Sequence, residues 1–136
     1  MDIRQLTETF AAAPQLDPSD MAQVAAAGFV AVICNRPDAE IPPSHHAQAM
    51  QSAAEAAGLQ FLDLPLTHRS FTPDNIASNR AFAEAANGPV VAYCASGTRS
   101  TIAWALGQAG HMDVDEIIQR AASAGYDISH LRQALS

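Results

Sequence analysis

Three short runs of apolar residues, rich in β-branched and aromatic side chains, stand out along the chain: Phe29 to Cys34, Phe61 to Leu66 and Pro89 to Cys94. Continuous apolar runs of this length, bounded by turn residues, are the pattern of strands buried on both faces of a sheet. The start, Ile3-Arg4-Gln5-Leu6-Thr7, alternates instead, which predicts an edge strand. Helix patterns with clear punctuation lie between these runs. Asp17-Pro18-Ser19-Asp20 offers an N-cap, a proline at the first helical position and an acid in the first turn. It predicts a helix that runs to about Ala27 and stops at Gly28. Ser44 to Ala57, closed by Gly58, reads as the next helix, and another starts at the Thr72-Pro73-Asp74 cap and ends near Asn87-Gly88. Ser100 to Ala109, ended by Gly110, and Asp113 to Ala124, followed by Gly125, complete the set. The abundant alanines fall mainly in stretches that read as helices.

Strands separated by helices of this length require parallel, right-handed crossovers. The expected class is therefore α/β: one domain over residues 1–136, its mostly parallel central sheet of about four or five strands flanked by helices. In such sheets ligands bind beyond the carboxyl ends of the strands. Cys34, Cys94 and the loop from Thr67 to Thr72 all fall there.

Composition narrows the function without naming it. With 136 residues and 49% hydrophobic side chains, the chain can bury roughly two-thirds of its unfolded surface and needs no metal or disulfide staple. The start lacks a signal-peptide pattern, and no apolar stretch approaches the roughly 20 residues that span a bilayer. Two cysteines make no disulfide framework, so the expected compartment is the cytoplasm. Fourteen acidic against seven basic residues leave a net charge of -7, which excludes nucleic acid and anionic membrane surfaces as partners. A small anionic substrate must then be drawn in by a local positive feature, and the few arginines become informative.

The chemistry concentrates in Cys94-Ala95-Ser96-Gly97-Thr98-Arg99, followed by Ser100, at a strand-to-helix junction. Gly97 admits backbone conformations that other residues resist. Successive N–H groups in such a loop form a nest for an anion, and the following helix adds the positive end of its dipole. Arg99 offers a planar fork of donors that matches an oxyanion. Cys94 at the centre is expected to act as a thiolate nucleophile.

These residues, together with Asn35-Arg36-Pro37-Asp38-Ala39-Glu40, the opening Met1-Asp2-Ile3-Arg4-Gln5-Leu6 and the closing Ala124-Gly125-Tyr126-Asp127, carry a resemblance. The chain resembles the phosphatase-like domain associated with β-lactamase-hydrolase-like proteins. The resemblance implies the fold of the cysteine-based protein tyrosine phosphatases. Some members look like sulfurtransferases that handle persulfide or thiosulfate sulfur, and the domain is sometimes fused to rhodanese or persulfide dioxygenase modules. A persulfide dioxygenase or a metallo-β-lactamase-like hydrolase is therefore the implied partner. The usual family loop carries Arg where this chain has Ala95, so one positive charge is missing.

Two activities compete. The tyrosine phosphatase signature places five residues between Cys and Arg, usually with His before the Cys, whereas here four intervene and Tyr93 precedes Cys94. Four is the spacing of a rhodanese-type loop, whose smaller ring suits a terminal sulfur. A phosphatase also needs an acid to protonate the leaving oxygen, and Thr67-His68-Arg69-Ser70 contains no Asp. The expected function is accordingly a sulfurtransferase that takes sulfane sulfur from thiosulfate or a low-molecular-weight persulfide onto Cys94. Phosphoester hydrolysis through a phosphocysteine is the alternative, and a non-catalytic anion- or sulfur-sensing module is the third reading.

The remaining candidates are weaker. Asn35, Arg36 and Asp38 lie on the ligand side and read first as loop support, second as substrate contacts. His68 is a candidate substitute for the missing acid. Cys34 reads as a small buried hydrophobe, with a resolving thiol as the alternative. His45 and His46 are adjacent and the other histidines scattered, so no metal signature and no cofactor is expected.

Overall fold

The computed structural model describes the whole chain, Met1–Ser136. Five strands form one sheet: β1 (Arg4–Gln5), β2 (Phe10–Ala13), β3 (Ala31–Cys34), β4 (Gln60–Asp63) and β5 (Val90–Tyr93), in the order β1-β2-β5-β3-β4. Only β1 runs antiparallel; all other neighbours are parallel. The expected α/β class and mostly parallel sheet are therefore present. Register aligns Ala13, Tyr93, Cys34 and Asp63 side by side at the carboxyl edge. Whatever follows those four residues meets at one end of the sheet.

Strand alternation divides the core into two layers. Phe10, Ala12, Ala31, Ile33, Val90 and Ala92 face one side, where they pack with Ile102, Trp104, Ile117 and Tyr126. Ala11, Ala13, Val32, Cys34, Val91 and Tyr93 face the other, against Met21, Val24 and Met50. Helices α1 (Met21–Ala26) and α2 (Ala47–Ala56) cover the second face. The first is covered by α3 (Pro73–Ala85), α4 (Thr98–Gln108), α5 (Val114–Ser123) and the short α6 (Arg132–Leu135). No helix is long and apolar enough to cross a membrane.

Helix punctuation is realised locally. The Thr72 hydroxyl accepts the Asn75 N–H at 3.2 Å with Pro73 opening α3, and Asp113 accepts the Asp115 N–H at 3.1 Å at the start of α5. One expectation is corrected and one unassigned segment gains a role. The Phe61–Leu66 run is not a strand buried on both faces: β4 covers Gln60–Asp63 at the sheet edge, and both of its ends are exposed. The alanine-rich Phe10–Ala13 segment, to which the sequence pattern assigns no element, forms β2, completely buried between β1 and β5. Alanine has no intrinsic preference for strands, so tertiary packing decides: small side chains let helices on both faces approach the sheet closely.

That closeness is testable at Ala12, which is fully buried in the same cluster as Trp104. Ala12→Leu is expected to overpack this layer and destabilise the fold by about 1–3 kcal/mol, read from the urea midpoint. An unchanged midpoint would mean that β2 and α4 are not in tight contact.

Candidate active site

Cys94 continues β5, its N–H donating to the Ala13 carbonyl at 3.3 Å, and only 1% of the residue is exposed. The chain then turns sharply. Gly97 sits at φ +98°, in the left-handed region that favours glycine, and α4 starts at Thr98, two residues earlier than the sequence pattern suggests. This conformation points the Gly97 N–H at the Cys94 Sγ, 3.1 Å away. The Gly97 carbonyl is held from behind by the Thr101 N–H at 2.9 Å and the Thr101 hydroxyl at 2.8 Å. The N–H groups of Ala95, Ser96, Arg99 and Ser100 meet no acceptor in the protein. Successive N–H groups of a turned loop that are not consumed internally can form an anion nest.

Arg99 projects from the first turn of α4 with its side chain 12% exposed. Its Nη1 donates to Glu40 Oε2 at 2.8 Å and to the Leu66 carbonyl at 2.7 Å, while Nη2 donates to Glu40 Oε1 at 2.8 Å. Nε and the second Nη2 hydrogen remain unbound by any protein acceptor, which leaves a two-donor fork for a ligand. The hydrogen bond to Glu40 raises the guanidinium above its ordinary value, and the adjacent Cys94 acts in the same direction. Glu40 is lowered in turn, chiefly by that hydrogen bond and further by Arg36.

Arg36 completes this ion cluster. Its Nε donates to Glu40 Oε1 at 3.2 Å and its Nη1 to Gln15 Oε1 at 3.3 Å. Gln15, just past β2, gives its backbone N–H to the Ala95 carbonyl at 3.1 Å. Asn35 is fully buried: Nδ2 donates to the Leu64 carbonyl at 2.9 Å, and Oδ1 accepts the Ser100 hydroxyl at 2.8 Å. It brackets the start of α4 to the ends of β3 and β4. Asp38 accepts the Ala47 N–H at 2.8 Å and so supports the start of α2. His68 is exposed on the turn between Thr67 and Ser70, close in sequence to the Leu66 carbonyl that holds Arg99.

Cys34 lies in the other layer of the core, beside Tyr93 on the α1–α2 face. Its thiol donates to the Arg36 carbonyl at 3.5 Å, and burial pushes its pKa up. A neutral, enclosed thiol is a poor resolving nucleophile, and the geometry matches the buried-hydrophobe reading. Tyr93 is likewise fully buried, with its hydroxyl unpaired. No group of three or more potential metal-ligating side chains is assembled anywhere in the fold.

Three residues of the site escape the sequence reading: Glu40, Gln15 and Tyr126, whose hydroxyl donates to the Ser96 carbonyl at 3.0 Å. A signal existed for Glu40, an acid on the ligand side of the sheet with an arginine in need of a counter-ion. Gln15 and Tyr126 act across 80 and 30 residues of sequence; Tyr126 stands among the residues that carry the family resemblance but without a role, and Gln15 left no signal.

A central parallel strand that leads into Cys94, a run of free N–H groups and an arginine fork in the first turn of the next helix thus stand together at the carboxyl edge of an α/β sheet of the phosphatase-like class. Residues 2–111 match the family "Beta-lactamase hydrolase-like protein, phosphatase-like domain", and the chain belongs to this family. It is 30% identical over 130 residues to the β-lactamase hydrolase-like protein of Xylella fastidiosa, covering 94% of this chain and 30% of that one. The chain thus spans under a third of the length of the curated relatives it matches. A candidate phosphatase from Neisseria meningitidis, solved by crystallography, is 36% identical with a TM-score of 0.86, covering 100% of this chain and 97% of the other. Tk-PTP in its active form superposes with a TM-score of 0.76 over 98% and 92% of the two chains at 16% identity, a likeness of fold alone. These comparisons favour the phosphatase-like reading over the sulfurtransferase reading that the loop length suggests.

The Glu40 clamp has a definite pH signature. Because its folded pKa lies below its unfolded one, Glu40 stabilises the fold above the ordinary carboxylate value of about 4.3 and loses that contribution as pH falls through the depressed value. Glu40→Gln is expected to lower the urea midpoint at pH 7, with the gap to wild type closing in acid. Equal midpoints at pH 7 would mean that the clamp adds nothing to stability.

Proposed function

We propose that the protein is a cysteine-dependent phosphatase of small phosphomonoesters, with Cys94 as nucleophile and Arg99 and the free N–H groups of residues 95–100 as the oxyanion cradle. The observation that carries this reading is the set of unconsumed donors in the loop that follows Cys94: four backbone N–H groups and the two-donor fork of Arg99. A transferring phosphoryl group spreads its charge over three equatorial oxygens, and fixed donors that need no reorganisation stabilise that charge. In the first step a sulfur–phosphorus bond forms as the ester oxygen–phosphorus bond breaks. Water then cleaves the phosphocysteine, which releases inorganic phosphate and regenerates the thiolate.

The proton supply sets the substrate. Glu40 is the carboxylate nearest the Arg99 fork, but two guanidiniums hold it ionised, so it has no proton to donate. The turn after β4 offers only His68. Without a carboxylic acid at the leaving oxygen, the rate should depend steeply on how well the leaving group departs unprotonated. Aryl phosphates are therefore the expected substrates, and alkyl phosphates poor ones.

A second reading is favoured by two specific features, the four-residue spacing from Cys94 to Arg99 and the same lack of an acid. In it the Cys94 thiolate attacks the sulfane sulfur of thiosulfate, sulfite leaves, and an acceptor thiolate or cyanide takes the outer sulfur. Sulfite and thiolates depart without protonation, so no acid is needed. A β-lactamase-like hydrolase or a persulfide dioxygenase that consumes the product would be the matching partner, and a cytoplasmic setting the matching compartment.

One experiment separates the readings. Purified protein is offered an aryl phosphate, and in parallel thiosulfate with cyanide, and intact-mass spectrometry is taken on each sample. Phosphatase turnover with a phosphoryl adduct on Cys94 is the expected result; a one-sulfur adduct with thiocyanate release would replace it by the second reading. Cys94→Ser should abolish turnover in either case, and residual activity above a few per cent would remove Cys94 from its role.

A further inference from the structure

The Cys94 loop touches a residue that neither reading uses. Tyr126 lies beyond α5, outside the matched stretch 2–111, and its side chain reaches back to the loop. Its hydroxyl donates to the Ser96 carbonyl at 3.0 Å. The peptide that carries this carbonyl also carries the Gly97 N–H, which donates to Cys94 Sγ at 3.1 Å. The chain contains no cis peptide bond, so the C=O and N–H of that unit point in opposite directions. Tyr126 and Cys94 therefore sit at opposite edges of one peptide unit, each bound to one end of it.

Two further contacts fix the arrangement. A Cβ at Gly97 would collide with the Tyr126 hydroxyl, so the ring packs directly under the loop glycine. The Arg4 guanidinium lies over the Tyr126 ring, 5.3 Å from its centroid, and its Nη1 donates to the Ala124 carbonyl at 3.1 Å. Tyr126 is 6% exposed and packs in the core layer beneath α4 and α5. The hydroxyl is thus held in place from outside the loop, and it is free of other protein partners.

We infer that Tyr126 is a positioning residue for Cys94: through the Ser96–Gly97 peptide its hydroxyl keeps the Gly97 N–H aimed at the sulfur. A glycine at this position makes the opposite peptide orientation sterically accessible. In that flipped state the Ser96 carbonyl would face the sulfur and repel both the thiolate and an anionic substrate. The Tyr126 hydrogen bond opposes the flip by satisfying the carbonyl on the outer side. It also polarises the peptide, since hydrogen bonds in a chain strengthen one another. The inference rests on the reading of Cys94 as the nucleophile, but it concerns the sulfur's environment and does not depend on which group is transferred.

Tyr126→Phe removes the hydroxyl and keeps the ring that packs against Gly97 and Arg4. The test follows iodoacetamide alkylation of Cys94 against pH in wild type and Tyr126→Phe, with Cys94→Ser subtracted to remove any reaction at Cys34. The expected result is an alkylation rate at neutral pH lowered about threefold or more, with the pH profile displaced to higher pH. In nitrogen-15 spectra the Gly97 amide should shift in Tyr126→Phe and in Cys94→Ser. Thermal melting checks folding, and a lower melting temperature alone does not count in favour. An unmoved pH profile together with an unmoved Gly97 amide overturns the relay. Failure of the nucleophile reading shows separately, as the absence of any substrate adduct on a Cys94 that still alkylates.

Discussion

The contact on which the site depends is the bidentate pair between Arg99 and Glu40. Arg99 belongs to the first turn of α4, Glu40 to the loop after β3, and the Leu66 carbonyl on the same guanidinium to the segment after β4. One planar group thus ties three chain segments at the carboxyl edge of the sheet. Exposed ion pairs contribute little, but this one is largely enclosed on the arginine side and has the matched fork geometry that fixes direction as well as distance. Its consequence is orientation: the outer donors are used up structurally, and Nε and the second Nη2 hydrogen stay free.

The cluster around it also answers an electrostatic problem. A chain of net charge -7 repels small anions at long range. Arg36 and Arg99 share the single carboxylate of Glu40, so the cluster keeps one surplus positive charge at the mouth of the loop. Together with uncharged N–H donors, this makes a local anion site on an acidic surface, where screening by salt is weakest for the buried partners.

The packing beneath explains why the loop can be so sharply turned. Ala11, Ala12 and Ala13 in β2, and Ala92 in β5, bring helices close to both faces of the sheet. Asn35 and Ser100, both fully buried, satisfy each other where α4 meets β3. A rigid junction of this kind lets Gly97 hold its left-handed conformation while Thr101 occupies its carbonyl. Buried polar pairs are costly when half satisfied, and here every side-chain amide and hydroxyl group of the pair has a partner.

The sequence by itself determined the α/β class, the helix starts at Thr72 and Asp113, and the loop from Cys94 to Arg99. These are legible because they rest on local rules: caps, glycine stops, short apolar runs and a nucleophile within a few residues of its anion-binding partner. Only the tertiary structure decided the rest. Phe10–Ala13 goes unassigned because alanine has no intrinsic preference for strands, and only burial between two neighbouring strands makes it β2. Phe61 to Leu66 looks fully buried because an apolar run does not say which side of a sheet it will flank. Glu40, Gln15 and Tyr126 reach the Cys94 loop from three different loops. Their roles exist only as distances between residues far apart in the chain, and no periodicity or spacing along a single sequence encodes a distance of that kind.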